Sequence, residues 1–520
     1  MSGCNQNRSW RNYLWRKPGI QTLIVLSSFF LLLGQQLVGF ANDPGVGWHL
    51  ADGAQIAATG EIPRTDTFLS EPRAWISDQW LSDLFLYHAY QYGGWPFLYS
   101  VVFVVYMLTF FGIVYPATRA ICKGALSASL ATFVAFKLGQ IHFILRPVVF
   151  SFSLFAVLVM VVFGPIREHI RRDSRFGALT WIGIPVLFLL WAQIHPSFVM
   201  GLLLLGLVLV GGFVDRVVFA RPIRARSLAL LALLLLLSVA STLVNPYTYR
   251  LHESIVSLGQ SDYFMHLNNE WLPIRLLSYE GGLFLFFVLG AVVGCFVGRR
   301  HLGWGSLEYL ALALFIALGA RSARMLPLCA IVSVVPIAEL VRWLGTTSWA
   351  RDGFVVRLMW PFLDRLGRRE ARASFGGWLL VLLLCVVVVD SVRTGRLLTF
   401  DGPFGPTRDA YPYGGVHKIM VRSQHEDGKP VVITIPNWGG FVVWESQGRL
   451  LPQIDDRNTM IGEDEYRAII DVLKNPKELL EYAQAKRGRY ILVPRGTVST
   501  PDPAVEVLYE DSFSAALRVR

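Results

Sequence analysis

Residues 20–41 read IQTLIVLSSFFLLLGQQLVGFA, and residues 42–53 continue NDPGVGWHLADG. The first segment is a predominantly apolar run of about 20 residues with no charge, enough to cross the hydrocarbon core of a bilayer as a helix. A cleaved signal peptide is the rival reading, because Gly39 and Ala41 would suit a peptidase. The length favours a retained helix. Arg8, Arg11, Arg16 and Lys17 precede it and place the N-terminus in the cytoplasm. The second segment then emerges on the other face, and it opens with Asp43 at the membrane–water boundary.

Ten further apolar runs follow, over 97–117, 125–143, 148–164, 179–194, 198–214, 228–244, 282–297, 307–318, 325–343 and 378–392. The expected fold class is therefore an α-helical polytopic membrane protein with about eleven transmembrane helices. Lys137 makes the run over 125–143 the weakest. The loops test the parity. The even-numbered crossings end in 119–123, 167–175, 216–226, 299–300 and 351–372, all rich in Arg and Lys. The opposite loops are poor in Lys and Arg but contain Asp43, Asp52, Glu61, Asp66, Glu71, Asp78 and Asp83. Cationic loops stay in the cytoplasm, so every loop agrees with one orientation. Residues 1–19 form a cytoplasmic N-terminus and 20–393 the transmembrane domain. Its first outer loop covers 42–95 and its second 246–281. Residues 354–366 alternate apolar side chains with Arg357 and Arg365, which predicts a helix lying on the inner membrane surface.

Composition supports this reading. Of 520 residues, 53% are hydrophobic and only 16% charged, against about a quarter charged in soluble domains. The net charge of +11 sits mostly in the short loops, so it reports topology and no nucleic-acid partner. Cys4, Cys122, Cys295, Cys329 and Cys385 fall in cytoplasmic stretches or spans, which offers no disulfide framework and no thiolate metal site.

Residues 394–520 read as a small extracytoplasmic α/β domain. Strands are expected over 431–436, 441–445, 490–494, 505–509 and 514–519, with Gly439-Gly440 as a turn. Helices are expected over 463–474 and 476–486, Pro476 suiting a first helical turn.

The usual soluble-enzyme motifs are absent. Gly45-Val46-Gly47 lacks a third glycine, His252-Glu253 starts an HExxH that fails at Val256, and no P-loop or GxSxG occurs. The first outer loop is the densest in chemistry. Asp43 follows directly on a span and is a candidate general base. If 48–58 is helical, His49 and Asp52 share a face. Asp66 is a second candidate catalytic carboxylate, and Trp80 a candidate substrate-binding residue. The bland alternative makes the aspartates helix caps and the tryptophans interfacial anchors. Arg146, Arg321 and Arg324 stand at outer helix ends, against the charge trend. They suit an anionic headgroup, since guanidinium grips phosphate with paired bonds; snorkelling or pairing with a loop acid is the alternative. Glu270 adds a carboxylate to the second outer loop, and His195-Pro196 reads as a capped helix end. Asp455-Asp456-Arg457 reads as a structural Asp–Arg pair.

The run Asp43, Trp48-His49-Leu50, Gly60-Glu61-Ile62-Pro63, Asp66 and Gln79-Trp80-Leu81-Ser82 resembles the first outer loop of a group of uncharacterised bacterial multispan proteins of the GT-C glycosyltransferase type. Arg146-Pro147, 191–195, Asn245-Pro246-Tyr247, Glu270-Trp271, 437–440 and 455–457 extend the resemblance over most of the chain. It implies an inner-membrane enzyme moving a sugar from a polyprenyl-phosphate donor to a hydroxyl of a glycan, lipid or protein acceptor on the outer face, with inversion. It implies that an acidic residue of the first outer loop is the base, which maps onto Asp43. Many members carry His-Glu before Trp-Leu, where this chain has Asp78-Gln79. No definite cofactor is called for, and a divalent cation is left open. A lipid-linked glycan flippase or a non-catalytic assembly protein is the alternative. Against transport, no matching pair of Gly/Pro-broken spans occurs in the two halves.

Overall fold

The computed structural model describes residues 20–35, 39–172, 176–267, 269–345, 365, 377–397, 404–498 and 503–520. The chain is mostly helical, and each apolar run read from the sequence falls largely on a helix. Among the described residues, six helices are long and apolar enough to cross a membrane: Trp80–Cys122, Val148–Arg172, Phe198–Val217, Ala225–Thr242, Tyr279–Leu302 and Ala323–Leu344. The protein is a multi-pass membrane protein. On the helix Ala178–Ile194, Leu179, Ile182, Val186 and Leu190 form an exposed apolar stripe, as a lipid-facing surface requires. Lys137 bends toward the end of its helix, where its Nζ donates to Gln140 Oε1 at 2.5 Å.

Charge sorts to the two ends of the helix Ser306–Arg321. Near its start, Glu308 accepts from Arg167 and Arg171, and Arg167 also pairs with Glu339. Just past its far end, Arg324 approaches Glu270 of the second loop. Sixteen residues at 1.5 Å each separate these clusters by about 24 Å, close to a hydrocarbon thickness.

The first long loop contains the helix Val46–Thr59 and an antiparallel bridge between Thr65 and Ala74. The chain then enters the helix Trp80–Met107, which changes direction at Gly93-Gly94. Gly94 has φ +63°, a left-handed conformation that only glycine adopts cheaply, and Pro96 begins the next stretch. The second long loop contains the helices Arg250–Gln260 and Asp262–Leu267. Tyr247 straps the two loops: its hydroxyl donates to Pro63 O at 2.5 Å and accepts from Ser77 N–H at 3.1 Å.

The C-terminal domain holds a five-stranded sheet, ordered β2-β1-β3-β5-β4. The strands are β1 Val431–Thr434, β2 Leu451–Pro452, β3 Tyr490–Pro494, β4 Val505–Glu510 and β5 Ser514–Val519. β1 runs parallel to β2 and β3, while β5 runs antiparallel to β3 and β4. The helices Glu463–Val472 and Pro476–Ala485 match expectation. The strand expected over 441–445 does not form. Pro436–Glu445 is one helix, with Gly439 and Gly440 inside it. Its β-branched and aromatic residues are buried against the sheet on one side and the first loop on the other, and that burial overrides local propensity. The surface helix expected over 354–366 falls outside the described residues apart from Arg365.

Leu69, Phe264, Ile454, Ile461, Tyr466 and Ile469 share one apolar cluster. It ties the first loop, the second loop and the C-terminal domain into one layer over the same helix ends.

Candidate functional site

Asp43 stands where the chain leaves the first apolar helix. Its Oδ1 accepts from Gly45 N–H at 2.9 Å and from Arg146 Nε at 2.6 Å. No hydrogen bond to its Oδ2 occurs among the described residues. Arg146 is held by the turn into the helix Val148–Val161, with Pro147 at the cap. Its other nitrogen donates to Asp456 Oδ2 at 3.3 Å, and Asp456 Oδ1 accepts from Trp48 Nε1 at 2.9 Å. One guanidinium therefore joins carboxylates from the first loop and from the C-terminal domain. A narrow cleft lined by Asp43, Pro44, Trp95, Tyr411, Phe441 and Trp444 opens beside them.

Two glycines make this junction possible. A Cβ on Gly47 would lie 2.1 Å from Gly440 O, and one on Gly440 would lie 2.9 Å from Pro44 O. The helices Val46–Thr59 and Pro436–Glu445 thus cross backbone to backbone, which brings Asp456 to Arg146. Gly439-Gly440 serves this close approach; it makes no turn.

Behind the junction, Arg457 is buried between Asp66 at 2.8 Å and Asp455 at 2.6 Å. Its guanidinium lies 4.5 Å from the Trp75 ring centre, 5.5 Å from that of Phe68 and 5.6 Å from that of Trp48. Asp66 also accepts from Leu69 N–H at 2.9 Å, so the structure commits it to a buried pair and a turn.

His49 and Asp52 share a face of the helix Val46–Thr59, as their spacing predicts. His49 Nδ1 and Asp83 Oδ1 share a hydrogen bond at 2.7 Å, and Ser77 Oγ–H donates to Asp52 Oδ2 at 2.5 Å. Asp52 Oδ1 and Asp83 Oδ2 are buried without a donor among the described residues, and the two carboxyls face each other. Two adjacent buried carboxylates do not both ionise cheaply, so the pair is suited to hold one proton between them. Burial raises Asp52 to about 6 against the Ser77 hydrogen bond, raises Asp78 likewise to about 6, and pushes His49 well below its usual value.

Arg324 lies 4.8 Å from the Trp271 ring centre and 4.0 Å from Glu270. It feels the charge of Arg146, Asp43 and Asp78, as do the buried His142 and His195 that of Arg146 and Arg324. His195 caps its helix end as expected, its Nδ1 accepting from Ser197 N–H at 3.0 Å. Arg321 stays exposed at its helix end, without an ion pair among the described residues. Trp80 donates to Gln193 Oε1 at 3.1 Å, an anchoring bond between helices. Asp456, Asp83 and His142 are the members that reading by residue type passed over.

Among the described residues, no group of three or more His, Cys, Asp and Glu side chains is placed to hold a metal ion. The carboxylates of Asp43 and Asp456 are bridged by a guanidinium where a shared cation would have to sit. The arrangement as it stands does not fit a divalent cation, and no step below uses one.

No family model and no curated protein matches the chain. Solved structures do. Archaeal oligosaccharyltransferase AglB from Archaeoglobus fulgidus, in complex with an inhibitory peptide and a dolichol-phosphate, aligns with TM-score 0.55 at 10% identity. The alignment covers 94% of this chain and 70% of that one. The two share a fold. ArnT from Cupriavidus metallidurans, bound to undecaprenyl phosphate, aligns with TM-score 0.45 at 13% identity over 95% of this chain and 98% of that one. The resemblance to GT-C glycosyltransferases read from the first long loop therefore extends to the architecture.

Burial raises the Asp456 carboxyl to about 7, with Arg146 opposing the rise. A carboxyl raised in the folded state adds stability that is complete below its unfolded value near 4 and is lost as pH climbs through about 7. The thermal midpoint should therefore carry a falling component between about pH 4 and 7. Asp456→Asn, fixed in the neutral form, should remove it. Midpoints that fall equally in wild type and Asp456→Asn would contradict the assignment.

Proposed function

We propose that the protein is a membrane glycosyltransferase that moves a sugar from a polyprenyl-phosphate donor to an acceptor hydroxyl at the outer face of the membrane. The observation that carries this is the Asp43–Arg146 pair at the exit of the first apolar helix, closed by Asp456 from the C-terminal domain. The shared fold with an oligosaccharyltransferase solved with a dolichol-phosphate supports it. On the reading of about eleven crossings, with the N-terminus inside and residues 394–520 outside, this junction would lie on the outer side. The Arg- and Lys-rich loops that follow the even-numbered crossings support that orientation.

The geometry suits the chemistry. A lipid-borne donor requires a site at the bilayer surface, and the junction stands on helix ends. The donor phosphate would be held by Arg324, set on Trp271, and by Arg146. The acceptor hydroxyl gives its proton to Asp43 Oδ2 as its oxygen bonds to the anomeric carbon. The bond from that carbon to the phosphate oxygen breaks, and polyprenyl phosphate leaves with the electron pair. Positive charge on the leaving oxygen suffices, without a proton donor. A single in-line displacement inverts the anomeric centre. Gln79 cannot take the proton, so the duty falls on Asp43.

Arg324→Ala should weaken binding of polyprenyl phosphate by roughly tenfold or more, as loss of a charge-assisted bond of about 1.5–3 kcal/mol implies. Arg324→Lys keeps the charge, loses the fork and should fall between. Lipid-phosphate affinity equal in all three folded proteins would remove Arg324 from the donor site.

A further inference from the structure

A second cleft, of about 300 Å³, opens where the first loop, the second loop and the C-terminal domain meet. The helix Arg250–Gln260 forms one wall and presents Arg250, Glu253, Ser254 and Ser257. Their spacing of three, four and seven residues places them on one helix face. Trp75 forms the floor and Met460 of the C-terminal domain closes the end. The opposite face of the same helix is spent on packing: Leu251 is buried and Leu258 joins the cluster around Phe264 and Tyr466.

The polar side chains of this wall have no structural duty. Among the described residues, Arg250 and Glu253 make no ion pair, and Ser254 and Ser257 make no side-chain hydrogen bond. Arg73, by contrast, pairs with Glu465 at 2.5 Å and Arg457 with Asp66. The wall thus offers a planar donor fork, a carboxylate acceptor and two hydroxyls, with no net charge. That balance disfavours phosphate or another anion. It suits a neutral molecule bearing several hydroxyls, each able to donate and accept. The floor is rigid, because Trp75 is clamped by Arg457 on one side and by Phe68 and Trp48 at ring distances of 5.8 Å and 6.3 Å. A fixed apolar floor with a few convergent polar groups is the composition of a small-molecule site.

The cleft also points toward the junction. Trp75 touches Trp48, and the Trp48 indole donates to Asp456, which pairs with Arg146 and through it with Asp43. The Trp75 and Trp48 indoles stand between the two. We infer that this cleft is the acceptor subsite, and that it takes a neutral oligosaccharide whose far residues lie along Arg250, Glu253, Ser254 and Ser257. The inference rests on the glycosyl-transfer reading and names its acceptor class. A lipid or peptide acceptor lacking a glycan would leave this wall unused.

The test uses the full chain in lipid nanodiscs on a multivalent array of neutral, phosphorylated and carboxylated oligosaccharides and of short peptides. Wild type should be retained on neutral oligosaccharides. Arg250→Ala and Glu253→Ala should each weaken that retention by roughly tenfold, with unchanged thermal midpoints because both side chains are exposed. Asp43→Asn should be retained like wild type. Retention on peptides or anionic glycans alone, no retention at all, or equal retention of the Arg250→Ala, Glu253→Ala double variant would overturn the subsite. The two readings separate cleanly. Glycan retention without sugar transfer keeps the subsite and ends the transferase reading. Transfer from a labelled polyprenyl-phosphate sugar with an acceptor KM unchanged in the double variant keeps the transferase and ends the subsite.

Discussion

Asp43→Asn should lower turnover by about 10²–10⁴-fold while leaving polyprenyl-phosphate affinity nearly unchanged. The variant keeps the side chain's shape, and its amide oxygen can still accept from Gly45 N–H. What it removes is the charge that pairs with Arg146 and the carboxylate oxygen proposed to take the acceptor's proton. Arg146 retains Asp456, so the junction should stay closed. Loss of turnover with an unchanged thermal midpoint supports the base. An unstable Asp43→Asn protein would instead show that Asp43 is chiefly a structural partner of Arg146. Near-normal turnover would move the role elsewhere, first to the Asp52–Asp83 pair, because Asp66 is already engaged by Arg457.

Arg457→Met should cost about 3–5 kcal/mol of stability, the usual consequence of removing one partner from a buried ion pair. The substitution leaves two buried carboxylates, Asp66 and Asp455, facing each other across an apolar chain. It also removes the cation that three aromatic rings surround. Since the pair joins the first loop to the C-terminal domain, the loss should appear as a lower thermal midpoint and as protease cutting between them. Adding Asp66→Asn should recover part of the loss, because the residues act as one unit. A midpoint unchanged by Arg457→Met would show that the domain docks through its apolar cluster and glycine crossing alone.

The apolar scaffold was legible because lipid imposes a simple rule. A crossing helix must satisfy its own backbone and expose apolar side chains, and such runs are visible one at a time. Single members of the site were legible for a related reason: Asp43 and Arg146 are charges at helix ends, where charge needs a cause. Their pairing was not. It depends on residues about a hundred and then three hundred positions apart meeting at one guanidinium. Asp455-Asp456-Arg457 shows the limit well. Asp455 and Arg457 do pair, as their adjacency suggests, but Asp456 between them points the other way and completes the site. The glycines show the same limit. Gly439-Gly440 looks like a turn because glycine usually breaks structure locally. Here it stays helical, and its missing side chains matter for close backbone approaches, of Gly439 to Ile454 and of Gly440 to Pro44, nearly four hundred residues earlier. Asp66, a candidate catalytic group by residue type, pairs with an arginine about four hundred positions away.

The central claim is that the protein transfers a sugar from a lipid phosphate and does not merely move the lipid across the bilayer. The direct measurement uses purified protein in sealed vesicles holding a radiolabelled polyprenyl-phosphate sugar, with a glycan acceptor outside. Free polyprenyl phosphate and labelled acceptor are counted together over time. The account predicts that both appear in equal amounts with wild type and that neither appears with Asp43→Asn. Intact labelled lipid reaching the outer leaflet, with no polyprenyl phosphate released, would contradict it.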